Sequence, residues 1–217
     1  MGSFVVSQEI RAVLNDRDRL RALYDLALID SAGEPVFDSL TQLVSRIIDV
    51  PISVMSMVGD EYQFFKSAVG VGDLRSTPLS HAFCKHVVAD GTPLIVDDAR
   101  VHPVLHDNGS IKDHGVVGYL GIPLKIASGK TLGSFCAVDT APHQWTDVEI
   151  DIMREVAEIV KYEIEARALT RGGSMSQQQL AELHESIIAF TENFDTTMPR
   201  TKMAEAIRRE RVRLFES

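Results

Sequence analysis

Apolar residues at the start of the chain recur at the spacing of an amphipathic helix. Leu20 and Leu23 lie on one row between charged neighbours, and the pattern around them predicts a helix over 16–29. The same spacing over 37–48 predicts a second helix, with Pro51 just beyond its end. Two helices therefore precede the first extended segment.

The apolar pattern then changes to the spacing of β-strands. Segment 52–58 is apolar and partly β-branched, segment 62–69 is extended and rich in aromatic residues, and together they predict a β-hairpin around Gly59-Asp60-Glu61. A short strand is predicted at Leu94-Ile95-Val96. These strands come before the most regularly alternating part of the chain.

Residues 118–138 alternate most clearly and predict a second hairpin, which turns at Ser128-Gly129-Lys130. One face of its first strand carries Leu120, Ile122, Leu124 and Ile126. One face of its second strand is predicted to carry Leu132, Ser134, Cys136 and Val138. Because alternate side chains of a strand point to the same face, each set is expected to share one side of the sheet.

Helices and one long loop account for the segments between and after the strands. A short helix is predicted over 80–89, and the polar segment 98–115 is predicted to be a loop with room for one helical turn. The longest helix follows Thr146, because Thr146 and Glu149 form a capping-box pattern and apolar residues continue at helical spacing to about Ala168.

The helical pattern breaks at Arg171-Gly172-Gly173-Ser174 and then resumes. The resumed pattern is a two-heptad apolar seam formed by Leu180, Leu183, Ile187, Phe190 and Phe194. These breaks divide the chain into an N-terminal extension (1–15), a main domain (16–170), a linker (171–176) and a C-terminal helical tail (177–217).

Composition and charge narrow the class of protein. The chain has 217 residues and a formal charge of −9, so its surface repels phosphate backbones and no nucleic-acid partner is expected. It contains no stretch of about 18 apolar residues, so no membrane span is expected. Residues 1–10 do not resemble a secretory signal, and the presence of only two cysteines suits a reducing, cytoplasmic location.

Several short motifs, taken in order, resemble the GAF domains of bacterial signalling proteins. The matching runs are Arg19-Leu20-Arg21-Ala22-Leu23, Phe37-Asp38, Tyr62-Gln63-Phe64-Phe65-Lys66-Ser67, Ser80-His81-Ala82-Phe83-Cys84-Lys85-His86, Val96-Asp97-Asp98-Ala99-Arg100, Tyr119-Leu120-Gly121-Ile122-Pro123-Leu124 and Leu132-Gly133-Ser134-Phe135-Cys136-Ala137-Val138-Asp139. Together they cover about residues 16–169. Their joint order and spacing are more specific than any single run.

The resemblance implies an α+β fold of the GAF/PAS type, with a central antiparallel sheet of about six strands. The terminal helices would lie on one face of the sheet. A ligand pocket would lie on the other face, roofed by the short helix near Cys84 and by the loop over 98–115. The candidate ligand-binding residues are Phe83, Cys84, Asp97, Arg100, His114, Tyr119 and Cys136.

The two cysteines allow a structural or a redox interpretation. Lys85, His81 and His86 lie near Cys84 in sequence, and positive neighbours lower the pKa of a thiol and make it reactive. A free cysteine is also a small apolar residue that packs well in a core, and Cys136 lies on a strand predicted to be buried. We favour the packing role and keep the redox role open.

No cofactor is identified from the sequence. His81 and Cys84 share a helix face but have no second closely spaced pair, so a zinc site is not expected. The bilin-binding domains of phytochrome type place a cysteine directly before a histidine, whereas Lys85 separates Cys84 from His86 here. The motif of cyclic-nucleotide-binding GAF domains is not traceable, and no local motif requires haem.

The resemblance implies a sensory module that binds a small molecule. Members of the family usually precede histidine kinases, diguanylate cyclases or phosphatases and pair through their terminal helices, so a homodimer and a downstream signalling partner are expected. No phosphate-binding glycine loop or serine–histidine–acid signature occurs, and enzyme activity is not expected. Two alternatives stay open: a thiol-based redox sensor or enzyme using Cys84, and a ligand-free dimerisation module.

Overall fold

An antiparallel sheet of six strands forms the centre of the molecule. The computed structural model describes residues 7–215, so residues 1–6 of the predicted N-terminal extension and residues 216–217 of the tail lie outside the described part. The strands are β1 (Ile52–Val58), β2 (Tyr62–Val69), β3 (Ser76–Pro78), β4 (Leu94–Val96), β5 (Gly118–Lys125) and β6 (Thr131–Asp139). Their order across the sheet is β3-β2-β1-β6-β5-β4, and every neighbouring pair is antiparallel.

Helices cover both faces of this sheet. Within residues 7–215 they are α1 (Gln8–Leu14), α2 (Arg17–Asp25), α3 (Pro35–Ile48), α4 (Cys84–Asp90), α5 (Gly109–His114), α6 (Asp147–Arg171), α7 (Gln177–Glu192) and α8 (Arg200–Phe215). Single 3₁₀ turns precede α4 at Leu79–His81 and follow β4 at Ala99–Val101. The α+β fold with a sheet of six strands, expected from the resemblance, is confirmed.

One face of the sheet packs against the long helices. Phe37 of α3, Phe135 of β6 and Val156 of α6 are fully buried in this core. The tail helices belong to the same layer, because α7 packs on α3 and α8 packs on α6. Ile187 and Ile207 anchor the two tail helices in this core without any exposed surface.

The opposite face of the sheet is covered by short elements. The second core lies between the sheet and α1, α4 and α5, and contains Val54, Phe65, Phe83 and Cys136. Helix α1 packs on α4 and buries Leu14 there. The N-terminal extension therefore includes a helix that the apolar pattern does not predict, because α1 spans only seven residues and buries one of them.

Arg19 holds the beginning of the chain against the sheet. Its guanidinium is buried and donates to the carbonyl oxygens of Val58 (2.5 Å), Leu14 (2.5 Å) and Val13 (3.2 Å). These acceptors are the end of β1 and the last turn of α1. A single side chain therefore joins α1, α2 and the sheet.

A bulge in β6 corrects one prediction. Lys125 pairs with Thr131 and Leu124 pairs with Gly133, which leaves Leu132 as an extra residue. Since an extra residue interrupts strand alternation, Leu132 packs in the core beside the long helices, whereas Cys136 and Val138 face the short elements. The predicted common face of these three residues is wrong. Leu120, Ile122 and Leu124 do share one core, as predicted.

Two predicted segments differ in detail from the structure. The first predicted helix ends at Asp25 rather than residue 29, since Ala27 and Asp30 adopt positive φ and turn the chain towards α3. The predicted loop over 98–115 contains α5 in addition to a 3₁₀ turn. Among the described helices, none is long and apolar enough to cross a membrane.

Candidate functional site

A small cavity lies between the sheet and the short elements that cover it. We call these short elements the roof: the 3₁₀ turn Leu79–His81, α4 and α5. The cavity has a volume of about 60 Å³. A water molecule occupies about 30 Å³ in the liquid, so the space matches roughly two water molecules. Its apolar wall includes Val54, Phe65, Phe83, Val116 and Val138.

Two thiols and a phenol form a buried cluster at one end of the cavity, where α4 of the roof meets β5 and β6. The Sγ atoms of Cys84 and Cys136 are 3.5 Å apart. The hydroxyl of Tyr119 lies 3.3 Å from the Cys84 sulfur and 3.1 Å from the Cys136 sulfur. Ser134 Oγ approaches Cys136 Sγ to 2.9 Å. Cys84 and Tyr119 line the cavity, and Cys136 lies behind them with no exposed surface.

The register of β5 and β6 determines the position of Tyr119. Gly121 pairs with Cys136, and a Cβ atom at Gly121 would overlap the hydroxyl and ring of Tyr119. The ring of Phe83 meets Tyr119 edge to face at a centroid distance of 5.2 Å. Glycine at 121 therefore leaves the space in which the phenol reaches both thiols.

The two thiols differ in acidity. Hydrogen bonds lower the pKa of Cys84, the largest contribution coming from Cys136, with Ser134 and Tyr119 adding to it. Burial raises the pKa of Cys136 well above its ordinary value, and charge on Cys84 raises it further. Burial likewise raises the pKa of Tyr119. The cluster therefore favours one thiolate, on Cys84, with neutral donors around it.

Polar side chains lie at the opposite end of the cavity. His81 contacts Asp113 through Nε2 (2.9 Å) and Ser80 through Nδ1 (2.9 Å). The ring of His114 lies 5.7 Å from that of His81, and both histidines line the cavity. Ser110 donates to the carbonyl oxygen of His81 (2.6 Å), which joins α5 to the 3₁₀ turn.

The structure brings together five of the seven predicted ligand-binding residues. Phe83, Cys84, His114 and Tyr119 line the cavity, and Cys136 contacts the Tyr119 hydroxyl. Asp97 and Arg100 lie elsewhere. Arg100 is exposed and forms a bidentate ion pair with Asp98, while the Asp97 backbone accepts a hydrogen bond from His143. Both side chains make local contacts outside the cavity, since the Asp97 carboxylate accepts from the Trp145 backbone (3.5 Å) and Arg100 pairs with Asp98.

Three polar residues that line the cavity, Gln63, Thr77 and Ser110, are not among the residues predicted from the sequence. Gln63 of β2 donates to Thr77 of β3 (2.7 Å) and accepts from Ser56 of β1 (3.1 Å). The signal for Gln63 in the sequence is its position between Tyr62 and Phe64 in a predicted strand, because an amide that becomes buried needs polar partners. In the described part of the chain, no cluster of three histidine, cysteine or acidic residues could hold a metal ion.

An antiparallel sheet with long helices on one face and a roofed cavity on the other is the architecture implied by the resemblance. The family model of the GAF domain matches residues 33–164. The chain belongs to the GAF domain family.

A bacterial phosphodiesterase is similar in sequence to part of this chain. The chain is 27% identical over 129 residues to a cyclic di-GMP phosphodiesterase of Pseudomonas aeruginosa, a match that covers 59% of this chain and 22% of that protein. The chain thus spans about a fifth of the length of that curated relative.

Two solved structures illustrate the shared fold. The free methionine-R-sulfoxide reductase of Neisseria meningitidis, solved with its substrate, has a TM-score of 0.53 at 16% identity and covers 78% of this chain and 98% of its own. The blue-light-absorbing PixJ GAF domain of Thermosynechococcus elongatus has a TM-score of 0.53 at 17% identity and covers 76% and 96%. At this identity the likeness shows the fold alone.

Proposed function

We propose that this GAF domain is a sensory and regulatory module that binds a small molecule under its roof. The cavity between the sheet and the roof carries this proposal. Its wall is apolar, while Tyr119, Gln63 and the histidines at the other end supply a few hydrogen-bonding groups. That combination is typical of small-molecule sites. The fitting ligand has a compact apolar body and one or two polar groups.

A ligand larger than a few atoms would have to displace the roof. The cavity volume of about 60 Å³ leaves room for little more than two water molecules. The roof consists of helices of seven and six residues and one 3₁₀ turn. Short elements of this kind open more readily than a six-stranded sheet, so ligand entry would move the roof and α1, which packs on it.

The route for a signal would run from β6 to α6. The segment between them is held at several points: His143 contacts Asp139 (3.0 Å) and Glu149 (3.4 Å), and Trp145 donates to the Val96 carbonyl oxygen (3.1 Å). Because Cys136 and Val138 of β6 adjoin the cavity, a shift of this strand would reach the first turn of α6 through these contacts.

We also propose a homodimer through terminal helices, a downstream signalling partner and a cytoplasmic location. The length of α6, 25 residues, supports helix-mediated coupling, and the phosphodiesterase relative supports a signalling context. The tail seam is engaged within the chain, because Ile187 is buried and Arg46 of α3 donates to the Thr191 carbonyl oxygen (3.0 Å). For that seam to form a dimer interface, α7 would therefore have to leave α3 and pack against a second copy of the chain.

A regulatory role is preferred to a catalytic one because the sequence carries no phosphate-binding glycine loop and no serine–histidine–acid signature. Native mass spectrometry of gently purified protein and a thermal-shift screen of small metabolites test ligand binding. Val138→Phe fills part of the cavity, and Val101→Phe is the matched control because Val101 is 78% exposed.

A bound ligand should raise the Tm of the wild type and of the Val101→Phe variant but not that of Val138→Phe. Equal stabilisation of all three proteins would place the ligand elsewhere and overturn the proposal. The absence of any extra mass or thermal shift would favour the ligand-free dimerisation module.

A further inference from the structure

Cys84 and Cys136 lie in contact without a bond between them. Their sulfurs are 3.5 Å apart, and both are free thiols buried between α4 and β6. A disulfide bond is about 2.0 Å long, so the sulfurs would have to approach each other by about 1.5 Å. Rotation of the two side chains would have to supply this movement.

We propose that Cys84 and Cys136 form an oxidation site, which a small hydroperoxide converts into an intramolecular disulfide. The inference goes beyond ligand binding and does not depend on it. It rests on the contact between the sulfurs, on the cavity that reaches one of them, and on the phenol that contacts both.

The position of each thiol assigns the order of reaction. Cys84 lines the cavity and meets the oxidant first, whereas Cys136 lies behind it with no exposed surface. The lowered pKa of Cys84 agrees with this order, because the thiolate is the attacking form. Cys136 is then the resolving thiol, already in contact with the sulfur that it must attack.

The size of the cavity selects the class of oxidant. Hydrogen peroxide has two heavy atoms and fits a volume of about 60 Å³. A bulky disulfide such as oxidised glutathione does not fit. The apolar wall of Val54, Phe65 and Val138 also favours a small uncharged molecule over an anion.

The reaction balances in two steps. The Cys84 sulfur attacks one oxygen of hydrogen peroxide: an S–O bond forms, the O–O bond breaks, and the departing oxygen takes the proton that Cys84 released and leaves as water. The Cys136 sulfur then attacks the Cys84 sulfur: the S–S bond forms, the S–O bond breaks, and a second water leaves with the Cys136 proton. Two electrons pass from the sulfurs to the peroxide.

Tyr119 is the positioning residue of this site. Its hydroxyl lies within 3.3 Å of both sulfurs and can donate to whichever carries negative charge. The product would tie the first residue of α4 to β6, which pairs with β1 and β5 in the middle of the sheet. Oxidation would therefore lock the roof onto the sheet.

The test treats the reduced chain of 217 residues with one equivalent of hydrogen peroxide at neutral pH. Expected are the loss of both free thiols, a mass decrease of two hydrogen atoms, and a cross-linked Cys84–Cys136 peptide that a dithiol reductant splits. The urea-unfolded chain is treated under the same conditions, and oxidation of its thiols verifies that the peroxide is active. If the native thiols stay reduced while the unfolded ones oxidise, or if disulfides form only between chains, the proposal is wrong.

Single variants test the order of attack. Cys136→Ser should stop at a sulfenic acid on Cys84, which dimedone captures, whereas Cys84→Ser should react far more slowly with peroxide. Equal reactivity of the two variants would overturn the assignment of Cys84. Tyr119→Phe should slow oxidation and shift its pH profile, and near-ultraviolet circular dichroism verifies that each variant is folded. The wild-type mass and peptide measurements decide the proposal even where a variant does not fold.

Discussion

Arg200 in the last helix and Glu149 in the first turn of α6 form an ion pair across 51 residues of sequence, with 2.6 Å between Nη1 and Oε1. Arg200 also donates to the carbonyl oxygens of Ile47 (3.1 Å) and Ile48 (2.9 Å) at the end of α3. Glu149 is buried and accepts a hydrogen bond from the Thr146 backbone (2.8 Å). The tail is therefore fastened where the chain passes from the sheet into α6.

Loss of the Arg200 contacts should destabilise the packing of α8. Arg200→Ala removes the arginine partner of a buried carboxylate and the side-chain donor to two helix-terminal carbonyl oxygens, and we expect a loss of about 1–3 kcal/mol in the free energy of unfolding. Hydrogen exchange over residues 200–215 should accelerate. Lys202→Ala is the control, because the Lys202–Glu205 pair is exposed and screened by solvent. Unchanged exchange in the Arg200 variant would contradict the role of the ion pair.

Lys66 is expected to be essential for the stability of the fold. It is the extra residue of a bulge in β2, and its buried Nζ donates to Ala27 (3.0 Å), Ser31 (2.7 Å) and Ala32 (2.9 Å) and pairs with Glu34 (2.5 Å). Lys66→Met removes the donor that these acceptors share, while Glu34 keeps its ion pair with Arg167, and should cost about 1–3 kcal/mol in urea unfolding.

Lys125→Met is the control for Lys66→Met, because Lys125 is also on a strand but is exposed. The control should change the free energy of unfolding by about 0.5 kcal/mol or less. Equal losses in the two variants would show that the buried ion pair and its hydrogen bonds contribute nothing specific.

His86 should make the protein less stable in mild acid. Burial lowers the pKa of His86 from 6.5 to about 4, with Lys85 and His102 lowering it and Asp90 opposing them. Between these two values the unfolded chain binds a proton that the folded chain does not, so stability falls as the pH falls from 6.5 to 4. Urea titrations across this range measure the slope.

His86→Gln should remove much of that pH dependence, since glutamine does not titrate. His106→Gln should leave the slope close to that of the wild type, because His106 is about half exposed. If both variants keep the wild-type slope, protonation of His86 does not explain the loss of stability.

Gly121→Ala should destabilise the protein through Tyr119. The new methyl group would overlap the phenol, and overpacking of this kind costs about 1–3 kcal/mol. The cost should shrink in a Tyr119→Leu background, because the overlapping ring is gone; a double-mutant cycle in urea measures this coupling. Gly33→Ala, where a Cβ would make only ordinary contacts, is the control. Additive costs would show that Gly121 does not act through Tyr119.

The four long strands and the long helices could be predicted because each leaves a periodic pattern over many residues, whereas the three-residue strand β3 was not predicted. Helix α1 could not, since one buried leucine in seven residues leaves no periodicity. The apolar seam of the tail is visible in the sequence. Its periodicity does not show which surface covers the seam, and in the structure α3 of the same chain covers it.

The candidate site was only partly predictable. The contact between Cys84 and Cys136 joins residues 52 apart in sequence, and only the packing of α4 on β6 creates it. Asp97 and Arg100 were chosen by their motif, yet the neighbouring Asp98 holds the Arg100 side chain away from the cavity. The ion pair between Arg100 and Asp98, two residues apart, therefore determines where the arginine side chain lies, which the sequence motif does not specify.

The sheet can close only late in synthesis. Strand β1 ends at Val58, but its inner neighbour β6 runs from Thr131 to Asp139. A nascent chain that has left the ribosome only as far as β5 holds two separate half-sheets, β3-β2-β1 and β5-β4, each with an open edge. Open edges recruit foreign strands, and distant pairings fold slowly. Arrival of β6 seals both edges at once, so translation speed over these residues governs how long the unfinished chain is exposed to aggregation.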